Sequence, residues 1–310
     1  MRGLARCGWG LAAALSLTTV LAHETALADG AAAQPAPSKR AWLGVDLEKG
    51  PAGGVKVKHA INNSPAAKAG FADGDQIVEV DGDAVDEPSQ VVARVALAGP
   101  GASISVKIRR GDVEKTLSAT LAPHPGQDQI LKLDKLGTFA PWKPVTTVSG
   151  SVPANMAALR GKVVVIDFWA SWCGACKLMT PHLSKIQTTY SSQGLTVIGV
   201  TTDEAKIAAK AAQKQSMTYA VASDANETAT AAYGVKVLPT LFVIDKKGVI
   251  REIFTGFDSG KPAELEKLVK KLLAEPAPPP AAAPATSASA AASAGAPPAA
   301  PAPAPAPTTK

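Results

Sequence analysis

The strongest constraint in this chain is a nine-residue run at 162–170 (KVVVIDFWA), apolar at almost every position and followed three residues later by Cys173-Gly174-Ala175-Cys176. A run of that kind, without polar alternation, reads as a strand buried on both faces, which is found in sheets with helices packed on each side. Helix-forming residues follow over 174–190, so Cys173 stands at a helix start with Cys176 one turn on. Unpaired N–H groups and the dipole at a helix start favour an anion, which lowers the Cys173 thiol pKa. Cys176 is then placed to attack a mixed disulfide formed on Cys173. Zinc is the competing use of such a pair. Tetrahedral zinc takes four ligands, however, and this sequence has no second cysteine pair and only His182 nearby. Neither metal nor cofactor is expected.

Around this motif, strand-type and helix-type segments alternate. A strand at 196–201, a helix at 204–215, a strand at 219–222 and a helix at 226–233 lead to a strand at 240–244. A turn at Asp245-Lys246-Lys247-Gly248, a strand at 249–254 and a helix at 263–273 complete the order. This alternation predicts an α/β layer structure ending in an antiparallel hairpin, over residues 136–274.

An earlier unit is predicted at 40–122, with short β-type runs at 42–47, 55–60, 76–80, 103–109 and 114–121. Between them lies a compact helix with both ends encoded: Ser64 can cap it, Pro65 fits its first position and Gly70 stops it. A second helical run, 89–97, ends at Gly99-Pro100. Asp73-Gly74-Asp75 and Asp81-Gly82-Asp83 are turn signals. Pro123-His124-Pro125-Gly126 breaks the unit, and residues 123–135 are taken as the connector.

The chain's ends carry other information. Arg2 and Arg6 precede an apolar stretch over about 11–22, and Ala26-Leu27-Ala28 offers small residues for cleavage, the pattern of a secretory signal peptide over 1–28. The stretch is short beside the roughly 20 apolar residues of a spanning helix. An uncleaved anchor is the alternative, and both versions place the rest of the chain outside the cytoplasmic membrane, in a periplasmic or otherwise exported location. Cleavage would leave Cys173 and Cys176 as the only cysteines, too few for a disulfide-stapled scaffold. Residues 29–39 read as a linker. The stretch 276–310 holds 16 Ala and 11 Pro in 35 positions, so residues 275–310 are expected to form a disordered, extended tail. The net charge of +6 is scattered in short knots of Lys and Arg, and no nucleic-acid partner is expected.

Two resemblances add to this reading. Trp42-Leu43-Gly44-Val45, residues 64–70 (SPAAKAG) and residues 74–82 (GDQIVEVDG) resemble a PDZ domain of the bacterial HtrA type. The resemblance implies a small, mostly-β domain that takes peptide C-termini as an added strand, with Leu43, Gly44 and Val45 as the binding loop and following strand. Ordinary strand residues beside an empty groove are the alternative. No segment before Arg40 is long enough to be the protease that HtrA proteins carry.

Residues 137–141 (GTFAP), 159–163 (LRGKV), 167–176 (DFWASWCGAC), Tyr233-Gly234-Val235 and Leu238-Pro239-Thr240 are similar to thioredoxin-like proteins of the TlpA/ResA type. That similarity implies an α/β thioredoxin fold, a central mixed sheet with flanking helices, preceded here by the smaller β domain. It also implies a thiol-disulfide oxidoreductase acting on protein thiols and disulfides, with Cys173 as nucleophile and Cys176 as resolving cysteine. Pro239 corresponds to a cis-proline facing the pair. Asp167 matches the buried carboxylate of thioredoxin, a candidate proton acceptor for Cys176 or a merely structural Asp. Many TlpA-type relatives carry a non-ionisable residue there. Trp172 would shield the pair and shape the contact surface, and Pro181 matches a structural helix kink.

Gly174-Ala175 has neither the histidine of strongly oxidising sites nor the Gly-Pro of reducing thioredoxin, so it leaves the redox direction open. A reducing role would require a membrane thiol carrier as electron donor. A scaffold with a non-catalytic thioredoxin-like domain is the rival reading; a peroxidase on the same fold would need a different Pro/Thr setting around its cysteine.

Overall fold

A computed structural model describes residues 38–51 and 53–278. The expected leader, most of the following linker and the tail from residue 279 lie outside those residues. Among the described residues no helix is long and apolar enough to cross a membrane.

The first unit runs β1 (Ser38–Trp42), β2 (Val45–Lys49), β3 (Val55–Ala60), α1 (Pro65–Ala69), β4 (Gln76–Val80), β5 (Asp83–Ala84), α2 (Pro88–Ala98), β6 (Ser103–Arg110), β7 (Val113–Thr120) and β8 (Ala122–His124). Its main sheet has the order β2-β3-β4-β6-β7, with β5 beside β4, and β1 pairs separately with β8. Alternate residues Val55, Val57, Ile77, Ile104, Val106 and Ile108 fill its core together with Leu43 and Val91. The helix α1 is built as its sequence specifies. Ser64 Oγ accepts the Ala67 N–H, Pro65 opens the helix, and Gly70 closes it in the left-handed conformation at φ 90°.

The run 42–47 is not one strand. The chain breaks between β1 and β2 at Gly44, whose φ is +85°, a conformation that favours glycine. A Cβ at that position would lie 2.2 Å from Ser64 Cβ, so the close approach of α1 also requires glycine.

The connector is itself helical: α3 (Gln127–Lys135) spans most of it. The second unit then runs β9 (Thr146–Ser149), a 3₁₀ turn (Met156–Leu159), β10 (Val163–Trp169), α4 (Gly174–Tyr190), β11 (Leu195–Thr201), α5 (Ala205–Lys214), β12 (Ala220–Ser223), α6 (Thr228–Tyr233), β13 (Thr240–Ile244), β14 (Ile250–Thr255) and α7 (Lys261–Ala274). The sheet order is β14-β13-β10-β11-β12-β9. The central strand β10 is parallel to β11 and antiparallel to β13, and β13–β14 is the antiparallel hairpin read from the sequence.

Helix α3 joins the two units by contacts on both sides. Leu131 and Leu136 pack on the second core, and Lys132 Nζ reaches Glu252 Oε1 in β14 at 2.7 Å. Toward the first unit, the buried Asp134 is the centre of a polar clasp. Its Oδ1 lies 2.8 Å from His59 Nε2 and accepts the Asn62 N–H at 3.2 Å, while its carbonyl accepts from Asn62 Nδ2 at 2.8 Å. Asn63 Nδ2 donates to the Leu133 carbonyl at 2.9 Å. The other imidazole nitrogen, His59 Nδ1, faces Asp73 at 3.1 Å. With a carboxylate at each nitrogen, both contacts become hydrogen bonds only in the imidazolium form.

Burial opposes the His59 charge, but the bonds to Asp134 and Asp73 outweigh it and raise its pKa above the ordinary 6.5. Burial likewise opposes charge on Asp134, yet the bonds from Lys135, His59 and Asn62 hold its carboxyl below 3.8. A raised histidine contributes stability that is complete below the unfolded value and lost as pH rises through the folded one. A lowered carboxyl contributes stability that is lost as pH falls through its own folded value. Docking of the two units should therefore be strongest between those ranges. We expect nitrogen-15 relaxation to report joint tumbling at about pH 5.5 and more independent tumbling at about pH 8.5, with His59→Ala abolishing the difference. Identical tumbling of wild type at both values would contradict this account of the clasp.

Candidate active site

Side chains alternate across β10, and that period of two decides what lies beneath the cysteine pair. Val163 and Val165 enter the core formed with α4 and α7, while Val164, Ile166 and Phe168 enter the opposite one. Asp167 continues the first row, and Trp169 at its end packs against Cys173 and Cys176. The chain then leaves the sheet through Ser171, whose N–H is held by Asp203 Oδ2 at 2.7 Å. The same oxygen lies 3.1 Å from Thr201 Oγ1 at the end of β11.

Cys173 is the N-cap of α4, and its Sγ accepts the Cys176 N–H at 3.1 Å. The two cysteines are joined as a disulfide with a Cα–Cα separation of 5.3 Å. Both are buried, Cys173 to 5% and Cys176 to 2% exposure. The Leu238–Pro239 peptide is cis, and Leu238 packs in the same cluster as the cysteines. Pro239 is buried, with its carbonyl taken by the Gly256 N–H at 2.7 Å. Trp172 stands out, 74% exposed. With Leu238, Val235 and Lys236 it lines a hollow of about 350 Å³ beside the disulfide turn.

Asp167 is 1% exposed. Its Oδ2 lies 3.4 Å from the Tyr219 hydroxyl, and its Oδ1 has no hydrogen-bond partner among the described residues. Burial pushes its pKa from 3.8 up to about 7, with the Tyr219 bond pulling the other way. Tyr219 in turn is raised, first by burial and then by the Asp167 charge. Opposite Asp167 on β11 is Gly199. A Cβ there would sit 2.9 Å from Trp169 Nε1 and 3.1 Å from Tyr219 Cε2, so a side chain at 199 would displace both rings, including the tyrosine that reaches Asp167. Thr180 Oγ1, 3.1 Å from both the Cys176 carbonyl and Gln215 Oε1, ties the first turns of α4 to the end of α5.

Thus the second unit brings Cys173, Cys176, Trp172, Leu238-Pro239 and Asp167 to the C-terminal end of one strand and the start of one helix. Tyr219, Gly199, Thr180 and Asp203 belong to the same place and were not read from the sequence. Nothing local marks them, because each meets the site across more than thirty residues or across the sheet, apart from Thr180 on α4 itself.

The loop Leu43-Gly44-Val45 lies in the first unit. Leu43 is buried, and its carbonyl accepts the Ala66 N–H at 2.8 Å. The Gly44 carbonyl accepts from Ile61 N–H at 3.0 Å and Ser64 Oγ at 3.1 Å. Since a trans peptide sets each N–H opposite the preceding carbonyl, the N–H groups of Gly44 and Val45 point away from α1. Val45 begins β2, the edge strand of its sheet.

A buried cysteine pair, joined as a disulfide at a helix start and packed with the residue before a cis-proline on a mixed α/β sheet, defines a thiol–disulfide exchange centre on a thioredoxin-like fold. Comparison with known proteins agrees. The Redoxin family model matches residues 139–272, and a PDZ domain model matches residues 41–121. Thiol-disulfide oxidoreductase ResA of Geobacillus kaustophilus is 32% identical over 122 residues, 39% of this chain and 70% of that protein. ResA of Bacillus anthracis is 32% identical over 139 residues, 44% of this chain and 79% of the relative. Protein DipZ of Mycobacterium tuberculosis is 32% identical over 187 residues, covering 57% of this chain but 26% of that longer protein. Among solved structures, a putative thiol:disulfide interchange protein DsbE from Chlorobium tepidum is 30% identical, with a TM-score of 0.41 over 45% of this chain and 98% of its own. The chain belongs to the ResA-type thiol-disulfide oxidoreductases, and it carries a PDZ domain ahead of the thioredoxin-like one.

The raised Asp167 carboxyl has a consequence for stability. The unfolded chain ionises Asp167 near 3.8 while the fold holds it protonated to about 7, so its contribution is complete below the lower value and lost as pH rises through the upper one. Asp167→Asn should raise the unfolding free energy of the disulfide form at about pH 8 by on the order of 3–4 kcal/mol, with the gain shrinking toward pH 4. Guanidinium denaturation across that range checks it, and a gain of equal size at both ends would refute the titration as its cause.

Proposed function

We propose that Cys173 is the exchanging sulfur, Cys176 the resolving one and Asp167 their proton store. The reading rests above all on the Cys173 sulfur accepting a helix-start N–H while its partner sulfur sits one turn deeper. In the disulfide form, a substrate thiolate attacks Cys173 Sγ, the bond to Cys176 breaks, and Cys176 leaves with the electron pair. Near neutral pH a protonated Asp167 can supply the proton that Cys176 takes up. A second substrate thiolate then attacks the substrate sulfur of the mixed disulfide, and Cys173 leaves as a thiolate stabilised by the helix start. The substrate ends as a disulfide and the enzyme as a dithiol; run in reverse, the same steps reduce a substrate disulfide. Pro239 would align the substrate main chain, and Trp172 would form part of the contact surface.

The first unit, in this reading, holds partner C-termini. The outward N–H groups of Gly44 and Val45 offer two donors to a terminal carboxylate, and the free edge of β2 offers a strand to extend. Leu43, Gly44 and Val45 would thus form the peptide-binding loop, and a bound partner would be kept at high local concentration near Cys173. The basic-then-apolar start of the sequence supports export with cleavage or an N-terminal anchor. A dithiol that works as a reductant in such a compartment would take its electrons from a membrane thiol carrier.

Three measurements test these roles. Cys173→Ser should lower protein-disulfide reduction by about three orders of magnitude or more, while Cys176→Ser should accumulate a mixed disulfide on Cys173. Substantial turnover by the first variant would overturn the assignment. For the first unit, peptides with a free C-terminal carboxylate should bind at least about tenfold more tightly than their C-terminal amides, the loss expected for a charge-assisted hydrogen bond. Equal affinities would remove the carboxylate role of the Gly44 loop.

A further inference from the structure

The two units enclose a cleft of about 360 Å³ that the exchange reaction as described does not use. One wall is the outer face of β2 and β3, with Asp46, Lys58 and Ile61. The floor is α3, with Asp128 and Ile130, and the far wall reaches Ala231, Lys236 and Val237. Asp46 and His59 face each other across the β2–β3 pair, so this wall is the sheet's outer surface and separate from the free edge of β2. Lys236 lines this cleft and also the hollow beside Trp172, and Val237, 45% exposed, directly precedes Leu238 and the cis-proline. The two spaces therefore share Lys236 in their linings, and Leu238, which lines the second, packs in the same cluster as the cysteines. Each has a volume within the roughly 300–1,000 Å³ usual for ligand sites.

We propose that the cleft is an extended-substrate site: a stretch of polypeptide flanking the reactive cysteine of a protein substrate leaves the disulfide over Leu238 and lies between the two units. The proposal deepens the oxidoreductase reading and rests on it. Continuity with the redox centre decides the occupant, since whatever is joined to Cys173 through a mixed disulfide must continue past Trp172 and Leu238. The lining agrees. Ile61, Ile130 and Val237 supply apolar contact, while acidic Asp46 and Asp128 and basic Lys58 and Lys236 stand among them. Charges of both signs interleaved with apolar groups suit a main chain with mixed side chains, and they suit neither a lipid surface nor a polyanion, which would call for one sign. The clasp of His59 and Asp134 forms part of the cleft wall, so the domain arrangement that closes the polar clasp also builds the site.

The test compares a polypeptide substrate with a small one on the full chain. Ala231 and Lys58 are exposed, stand on opposite walls and touch neither cysteine in the arrangement described. Ala231→Trp and Lys58→Trp should each fill the cleft and raise KM at least about fivefold for a peptide disulfide of some twenty residues, with kcat and the turnover of cystine unchanged. Unchanged KM for the peptide in both variants would overturn the proposal, as would an equal loss for peptide and cystine in both. Absence of turnover of either substrate by wild type would instead refute the oxidoreductase reading on which the proposal stands.

Discussion

The hydrogen bond from the Cys176 amide to Cys173 Sγ ties the chemistry to the fold. It exists because a strand buried on both faces hands the chain directly to a helix, so that a sulfur replaces the usual hydroxyl or carboxylate at the N-cap. An oxygen cap would satisfy the same amide with no redox consequence. A sulfur cap makes the helix start a stabilising partner for a thiolate, and the second cysteine shares that turn. Asp203 supports the junction by holding the Ser171 amide, so the turn into α4 is fixed once before the helix begins and again at its cap.

Beneath this turn the protein accepts a cost. A carboxyl with one long hydrogen bond and one unpartnered oxygen is expensive to ionise in a nearly dry site. That expense keeps Asp167 protonated at pH values where an exposed aspartate is charged, and in the mechanism proposed above that proton would serve the departing thiolate. The neighbouring glycine and tyrosine fit the same logic. Gly199 leaves room for the rings of Trp169 and Tyr219, and Tyr219 offers the carboxyl a hydrogen bond without a compensating positive charge. A lysine or arginine in its place would hold the carboxyl ionised and remove the proton store proposed above.

How much of this was legible in the sequence follows from the distance over which each feature is determined. Strand β10, the capped start of α4, the helix α1 bounded by Ser64 and Gly70, and the closing hairpin are set by residues adjacent in the chain, and all were readable. The α3 helix was passed over as connector because its polar residues gain their purpose from other segments: Asp134 from His59 and Asn62, seventy or more positions away, and Lys132 from Glu252. The break at Gly44 cannot be read from the run 42–47 by itself, although the PDZ resemblance implied a loop there. Nothing in residues 42–47 announces that Ser64 lies against that glycine, and it is this contact, with the positive φ, that divides one apparent strand into two. Tyr219 belongs with them, since an isolated tyrosine near a short strand gives no hint of the carboxyl fifty-two residues earlier.

Contacts between domains of one chain are commonly polar and permit relative motion. Here the connector is a helix whose two faces belong to different cores, so the joint carries both apolar packing and a buried polar clasp. Contacts on both faces of α3 give the arrangement a direction. The edge strand β2 of the first unit and the disulfide of the second are joined through α3, and the cleft between the units is lined by Val237, one residue before Leu238. A flexible tether would raise the local concentration of a bound partner in all orientations alike. A helical joint restricts those orientations, so under the proposed function selection of a partner and presentation of its cysteine would be properties of one surface.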